Sequence, residues 1–306
     1  MRNELLQSFA SFVEEKQLGV HAAAVMQHGA FLGEYRVVPD EPHILHSLTK
    51  SYTSVEVGML IGEGRLALDD RIASFFPELL PAHPSRELLA LSVRDLLRMA
   101  PGRDQPSMMA NQRGLIEDKN WVRYYLSKPF DRMPGERFSY DTGCTYILSA
   151  VVQQVSGETT LDFLTPRLFE PLGIEKPYWE TCPMGRSLGG AGLFLRTKEL
   201  LPFGQLCLQH GIYNGKRLVS ADYLAQATSK QIDTQPDAPK DSRCGYGYQF
   251  WMCHNGTYRA DGAYAQFLIV DEENDGVIAV NSKSDRGQEI LDAVWETVTP
   301  LLAERR

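Results

Sequence analysis

Long apolar runs are missing from this chain. No stretch approaches the roughly 18 apolar residues that a membrane span requires, although hydrophobic residues make up 43% of the 306. Basic clusters are missing as well. Lys and Arg number 31 against 39 Asp and Glu, for a formal net charge of -8. Such a balance excludes the basic patch that a phosphate backbone calls for, so neither nucleic acid nor a membrane is an expected partner. Cysteine is scarce: Cys144, Cys182, Cys207, Cys244 and Cys253 are odd in number and never at CxxC spacing. That pattern reads as reduced thiols, not as a disulfide framework or a zinc site. With no signal-peptide h-region in Met1 to Gln17, the expected location is cytoplasmic. The seven histidines form no HxH, HxxxH or HExxH pairing, so no metal and no cofactor are expected.

What is present is a change of period along the chain. Leu5, Leu6, Phe9, Phe12 and Val13 fall at helical spacing near the N-terminus. Gly19 to Met26 and Phe31 to Val38 read as strands joined at His28-Gly29. From Ser47 the pattern is helical until Gly62 and Gly64, and a long, mostly helical stretch with many proline and glycine breaks follows. Cys144 to Val155 is helical and closes at Ser156-Gly157, Gly185 to Gly192 is a glycine-rich loop, and Thr197 to His210 is a helix bent at Pro202. Strands return at Tyr246–Cys253, Thr257–Asp261, Ala265–Asp271 and Val277–Ser282, before a last helix over Gln288–Leu302. Strands at both ends of the chain imply one α/β (α+β) domain over residues 1–306. Its central antiparallel sheet, flanked by the N- and C-terminal helices, is a lobe of 1–46 and 187–306, and an inserted, mostly helical lobe spans about 47–186. The cleft between them is the natural place for a small-molecule site.

Three segments carry chemistry. Ser47-Leu48-Thr49-Lys50 is an SxxK tetrapeptide, whose spacing puts a lysine on the serine's helix face, able when neutral to take the hydroxyl proton. A lysine in a first helical turn also opposes the helix dipole, a broken local rule of the kind found at functional sites. Tyr140-Asp141-Thr142-Gly143 offers a phenol whose pKa a nearby cation would lower, fitting it as acid or base; the plainer reading is a turn and helix cap. Arg259-Ala260-Asp261-Gly262-Ala263 places a glycine within a strand, a mark of close backbone approach or of a bulge, and the backbone N–H of Ala263 is a candidate oxyanion donor beside that of Ser47. A rival nucleophile, Ser187, sits in the GxSxG string Gly185 to Gly189. It lacks the preceding strand and following helix of a nucleophile elbow. His46 adjoins Ser47 but would point away from it, and reads as part of the fold.

Taken in order, these segments resemble the serine β-lactamase-like family of class C β-lactamases, penicillin-binding proteins and related esterases, D-aminopeptidases and nylon-oligomer-type amide hydrolases. The resemblance extends through Leu45 to Phe76, Val93 to Gly102, Pro134 to Val152, Leu168 to Ile174, Tyr246 to Trp251 and Asp261 to Ala279. It implies a β-lactamase/transpeptidase-like fold and covalent catalysis without metal or cofactor. Ser47 would be the acylated nucleophile, Lys50 its partner, Tyr140 the proton shuttle, and the backbone amides of Ser47 and Ala263 the oxyanion hole. Thr142, Asp261 and Gly262 fall at substrate-contacting positions. Two departures bear on the substrate. Thr142 replaces the family's asparagine, and Ala260 replaces the lysine that binds a penicillin's carboxylate, next to an aspartate that would repel it. The expected substrates are therefore small esters, amides or peptides presenting a neutral or cationic group there. True β-lactamase or DD-peptidase activity, and an idle ligand-binding relative, are the alternatives.

Overall fold

The computed structural model describes residues 4–305. Met1 to Asn3, the start of the expected first helix, lie outside the described residues; a 3₁₀ turn at Glu4–Leu6 leads into α1, Gln7–Glu15. The sheet has six strands: β1 Val20–Gln27, β2 Ala30–Arg36, β3 Trp251–Met252, β4 Tyr258–Gly262, β5 Gln266–Asp271 and β6 Gly276–Ser282. Their order is β2-β1-β6-β5-β4-β3, every pair antiparallel. Both ends of the chain thus meet in the middle of one sheet, where Ala22 pairs with Asn281 and Ala24 with Ala279. His28 and Gly29 both have positive φ (50° and 72°), the geometry that a two-residue hairpin turn demands. Antiparallel sheets often leave one face in water. Here both are covered, and every residue of β6 is buried. Phe9, Val13, Ile290, Val294 and Leu302 pack on one face with Ile269, Ile278 and Val280. The other face, with Leu268, Val270, Val277 and Ala279, belongs to a larger core shared with Leu48, Tyr52 and Phe203.

Helix α2, Thr49–Gly62, enters that core so completely that every side chain from Thr49 to Leu60 is buried. Small and β-branched residues make this fit possible: a Cβ on Gly58 would stand 2.3 Å from the Tyr223 ring. Burial extends to Glu56, whose two carboxyl oxygens have no hydrogen-bond partner among the described residues. Its pKa is pushed well above the usual carboxylate range by loss of solvent. A carboxyl whose folded-state pKa is raised favours folding at low pH and opposes it as pH rises past the unfolded value. Wild-type protein should therefore lose melting temperature between pH 5 and pH 8. Glu56→Gln should flatten that fall, so that the gap between the two proteins widens by about 3 °C or more over the range. Parallel pH profiles in calorimetry would show that Glu56 is not the group responsible.

Helix α3, Thr142–Ser156, is capped by Asp141 and stops at Gly157 in the left-handed conformation (φ 80°), as Ser156-Gly157 implies. Three expectations need correction. The strand expected over Tyr246–Cys253 shrinks to Trp251–Met252. Gln249 turns left-handed (φ 68°) so that its side chain can donate to the Leu96 and Leu97 carbonyls and accept from Thr145. The helix expected over Gln288–Leu302 comes in three pieces, Gly287–Ala293 (α4), a wide π turn at Val294–Val298 and Thr299–Ala303. Pro300 has no N–H to give and crowds the preceding turn, which widens the helix there. Thr197–His210 is likewise divided, a 3₁₀ turn at Thr197–Leu200 and a helix at Leu201–Leu208 with Pro202 in its first turn, where proline is tolerated.

Candidate active site

Ser47 lies in a 3₁₀ turn, His46–Leu48, that runs directly into α2. The turn is tied from behind by Leu45, whose N–H donates to the Leu193 carbonyl. One helical step on, Lys50 is 1% exposed and has no carboxylate partner among the described residues. Its Nζ sits 2.9 Å from Ser47 Oγ, 2.7 Å from the Gly190 carbonyl oxygen and 3.3 Å from Thr142 Oγ1. Burial lowers its pKa from the usual lysine value to about 7, against an opposing pull from Asp141.

The hydrogen positions follow from what each partner can do. A carbonyl only accepts, so Nζ donates to Gly190. The Thr142 hydroxyl donates to Met109 Sδ, 3.3 Å away, which leaves its oxygen to accept from Lys50. A neutral amine has two N–H groups and one lone pair. With both N–H groups so placed, the lone pair faces the Ser47 hydroxyl. Thr142, expected to touch substrate, is thus engaged with the lysine.

Tyr140 stacks on Trp251 (centroids 5.7 Å apart, 25° between planes) and meets Tyr246 edge-on. Lys50 Nζ is 5.1 Å from its ring centre. The lowered phenol pKa expected from a nearby cation is not what the structure gives. Burial raises it; a hydrogen bond with Ser47 lowers it and the Asp261 charge raises it further. Tyr140 is therefore a neutral phenol at pH 7, and Lys50 is the group that titrates. Asp141 is fully buried, accepting from the Ser107 and Gly143 N–H groups and capping α3 beside the site.

Across from α2, the end of β4 closes on the Ser47 turn. A Cβ on Gly262 would lie 2.2 Å from the Leu45 carbonyl oxygen and 3.1 Å from the Leu48 nitrogen. Only glycine allows that approach, which brings exposed Ala263 alongside Ser47. Ala260 faces the core opposite Leu268, while Arg259 and Asp261 share the other side of the strand. Arg259 is 1% exposed and pairs with Asp261 at 2.8 Å. It is itself held by the Asp241 carbonyl. This pair amends one expectation: Arg259 offsets the Asp261 charge, so repulsion of a substrate carboxylate is weaker than the sequence implies. The amine missing at Ala260 remains missing.

Gly190, Met109 and Trp251 escaped the sequence reading. A carbonyl and a thioether leave no motif, and only the run of glycines from Gly189 hinted at close packing: a Cβ at Gly190 would stand 2.9 Å from Thr142 Cγ2. Ser187 is 1% exposed, its hydroxyl facing the Leu161 N–H, and no helix follows it. His46, with φ 48°, lays its ring against Tyr264 at 5.3 Å.

An antiparallel sheet assembled from both chain ends, faced by a helix that begins in SxxK, defines the β-lactamase/transpeptidase-like fold. Comparison with known proteins agrees. The beta-lactamase family model matches residues 6–298, and the chain belongs to that family. A 6-aminohexanoate-dimer hydrolase of Paenarthrobacter ureafaciens is 24% identical over 281 residues, covering 84% of this chain and 71% of its own. Among solved structures, a candidate 6-aminohexanoate-dimer hydrolase from Bacillus anthracis superposes with a TM-score of 0.80 at 22% identity, over 96% of this chain and 81% of that one. EstCE1, a hydrolase with promiscuous acyltransferase activity, does so at 0.72 and 19%, over 94% and 99%. No helix among the described residues is long and apolar enough to cross a membrane.

Proposed function

We propose that the chain is a serine hydrolase that works through an acyl-enzyme on Ser47, acting on small esters or amides. The observation that carries this reading is the buried Lys50 amine, 2.9 Å from the Ser47 hydroxyl and with its pKa lowered by burial to about 7. Ser47 Oγ attacks the substrate carbonyl as its proton passes to Lys50. The backbone N–H groups of Ser47 and Ala263 hold the oxyanion, and the close approach at Gly262 supports that pairing. Tyr140, neutral and hydrogen-bonded to Ser47, relays the proton to the leaving group. Water then hydrolyses the ester on Ser47. Asp261 contributes an acceptor near the leaving group. A β-lactam would meet no amine at Ala260, so benzylpenicillin should be a poor substrate. The hydrolase names of the relatives favour amide or ester substrates. Five unpaired cysteines fit a reducing, cytoplasmic setting.

A fluorophosphonate probe should label wild-type protein once, at Ser47, and p-nitrophenyl acetate should turn over. Both are expected to disappear in Ser47→Ala and to persist in Ser187→Ala. No labelling of the wild type would favour an idle ligand-binding relative, and efficient benzylpenicillin hydrolysis would restore the β-lactamase reading.

A further inference from the structure

A second cavity, of about 350 Å³, opens beside the nucleophile turn and has no part in the scheme above. Its wall draws on His21 of β1, His43 and His46 ahead of Ser47, Tyr264 after Ala263, and Lys283 after β6. His46 directly precedes Ser47 and Tyr264 directly follows Ala263, with their rings in contact. The cavity therefore begins one residue beyond the two backbone N–H groups assigned to the oxyanion.

The polarity of this wall is one-sided. Apart from the Tyr264 phenol, every titratable group on it is basic, in a chain of net charge -8. His43 Nδ1 donates to the Glu41 carbonyl, which turns its Nε2 toward His21 Nδ1, 3.3 Å away. His21 is held toward its neutral form by burial first and then by His43 and Lys283. His43 and Lys283 thus both place positive charge beside His21, and no carboxylate is among the residues that line the cavity. On His46, Glu180 and Arg113 act from outside the cavity with opposite signs. The Gln266 amide is already committed to the Tyr264 and Ser282 carbonyls, and the Ser282 hydroxyl to Tyr264. What stays open to a ligand is the Lys283 ammonium, without an ion-pair partner among the described residues, together with the His46 imidazole and the Nε2 of His21, since both ring nitrogens of His43 are engaged.

We propose that this cavity receives the far end of the substrate's acyl portion, and that this end carries a carboxylate. The inference rests on Ser47 as nucleophile. Direction comes from the strand: Asp261, whose charge reaches Tyr140, precedes Ala263, and Tyr264 follows it. A carbonyl seated on the Ser47 and Ala263 amides thus has its leaving group toward Tyr140 and its acyl chain toward His46 and Tyr264. The substrate class is half-amides and half-esters of short dicarboxylic acids. The neutral or cationic preference expected from Ala260 concerns the opposite end.

The test compares glutaryl- and adipoyl-p-nitroanilide with their methyl esters. Wild-type kcat/KM should favour the free acids about tenfold. Lys283→Met should erase that preference through KM, leaving the methyl esters and fluorophosphonate labelling unchanged. In parallel, calorimetry on Ser47→Ala protein should detect glutarate or adipate, with binding weakened about tenfold by adding Lys283→Met. Equal rates for acid and methyl ester, equal losses for both in Lys283→Met, or no diacid binding would overturn the proposal. Failure of the labelling itself would instead remove the nucleophile, a separate result.

Discussion

Replacing Lys50 by Met is expected to lower kcat/KM for p-nitrophenyl acetate about 10³-fold or more, and Lys50→Arg should be no better. The comparison distinguishes a base from a mere cation. Arginine would keep the positive charge but cannot lose its proton at any working pH. The pH profile of the wild type provides an independent reading. Lys50 is depressed to about 7 by burial, so the amine is protonated and inactive below that point and free above it. Both kcat/KM and the rate of fluorophosphonate labelling should rise with pH through a midpoint of about 7 and level off above it. The rise must belong to Lys50 and not to Tyr140, whose pKa burial moves upward, away from neutrality. A profile flat across that region, or an active Lys50→Arg enzyme, would refute the assignment of Lys50 as base.

Gly262→Ala should nearly abolish turnover while leaving the fold intact. The added methyl would come 2.2 Å from the Leu45 carbonyl oxygen and 3.1 Å from Gln266 Cβ. Backbone on one side and a packed strand on the other leave it nowhere to go, so β4 must move off the nucleophile turn. A displacement near 1 Å at a reacting centre costs on the order of 10²-fold in rate, and overpacking costs about 1–3 kcal/mol in stability. The expected outcome is a loss of about 10²-fold in kcat/KM with native circular dichroism and a modestly lower melting temperature. A fully active variant would mean that the strand end and the Ser47 turn do not work as a unit. Ala263→Gly, which keeps the N–H and removes only an exposed methyl, serves as the tolerant control.

The sequence carried the parts of this molecule whose signals are local. Strand periodicity marked β1, β2, β5 and β6, the His28-Gly29 turn joined the first two, and Gly157 marked the end of α3. The meeting of Ser47 with Lys50 and Tyr140, and the approach of Gly262 to their turn, were legible because short motifs fix the spacing. What the sequence concealed depends on groups distant along the chain. The carbonyl of Gly190 that orders the Lys50 amine is 140 residues from it. The role of Thr142 as an acceptor follows from Met109, 33 residues away. The pairing of Arg259 with Asp261 stayed hidden too, since charge neutralisation within one strand face depends on burial that no spacing reveals. The left-handed Gln249 and the π turn before Pro300 were missed for a related reason: β propensity and helical period both ran on through a residue whose backbone had other obligations.

The pairing of Ala22 with Asn281 also has a consequence for biogenesis. On a ribosome working at about 5–20 residues per second, β1 and β2 emerge some tens of seconds before the strand that separates them from the rest of the sheet is synthesised. Ser47 is translated early, whereas Ala263, whose amide is proposed to complete its site, arrives late. During that interval the nascent chain exposes a two-stranded ribbon and a helix whose side chains from Thr49 to Leu60 are all buried in the finished fold, a natural client for holding chaperones. Hydrolytic competence should therefore appear only after release of the full chain, and truncations from the C-terminal side should aggregate before they merely slow down.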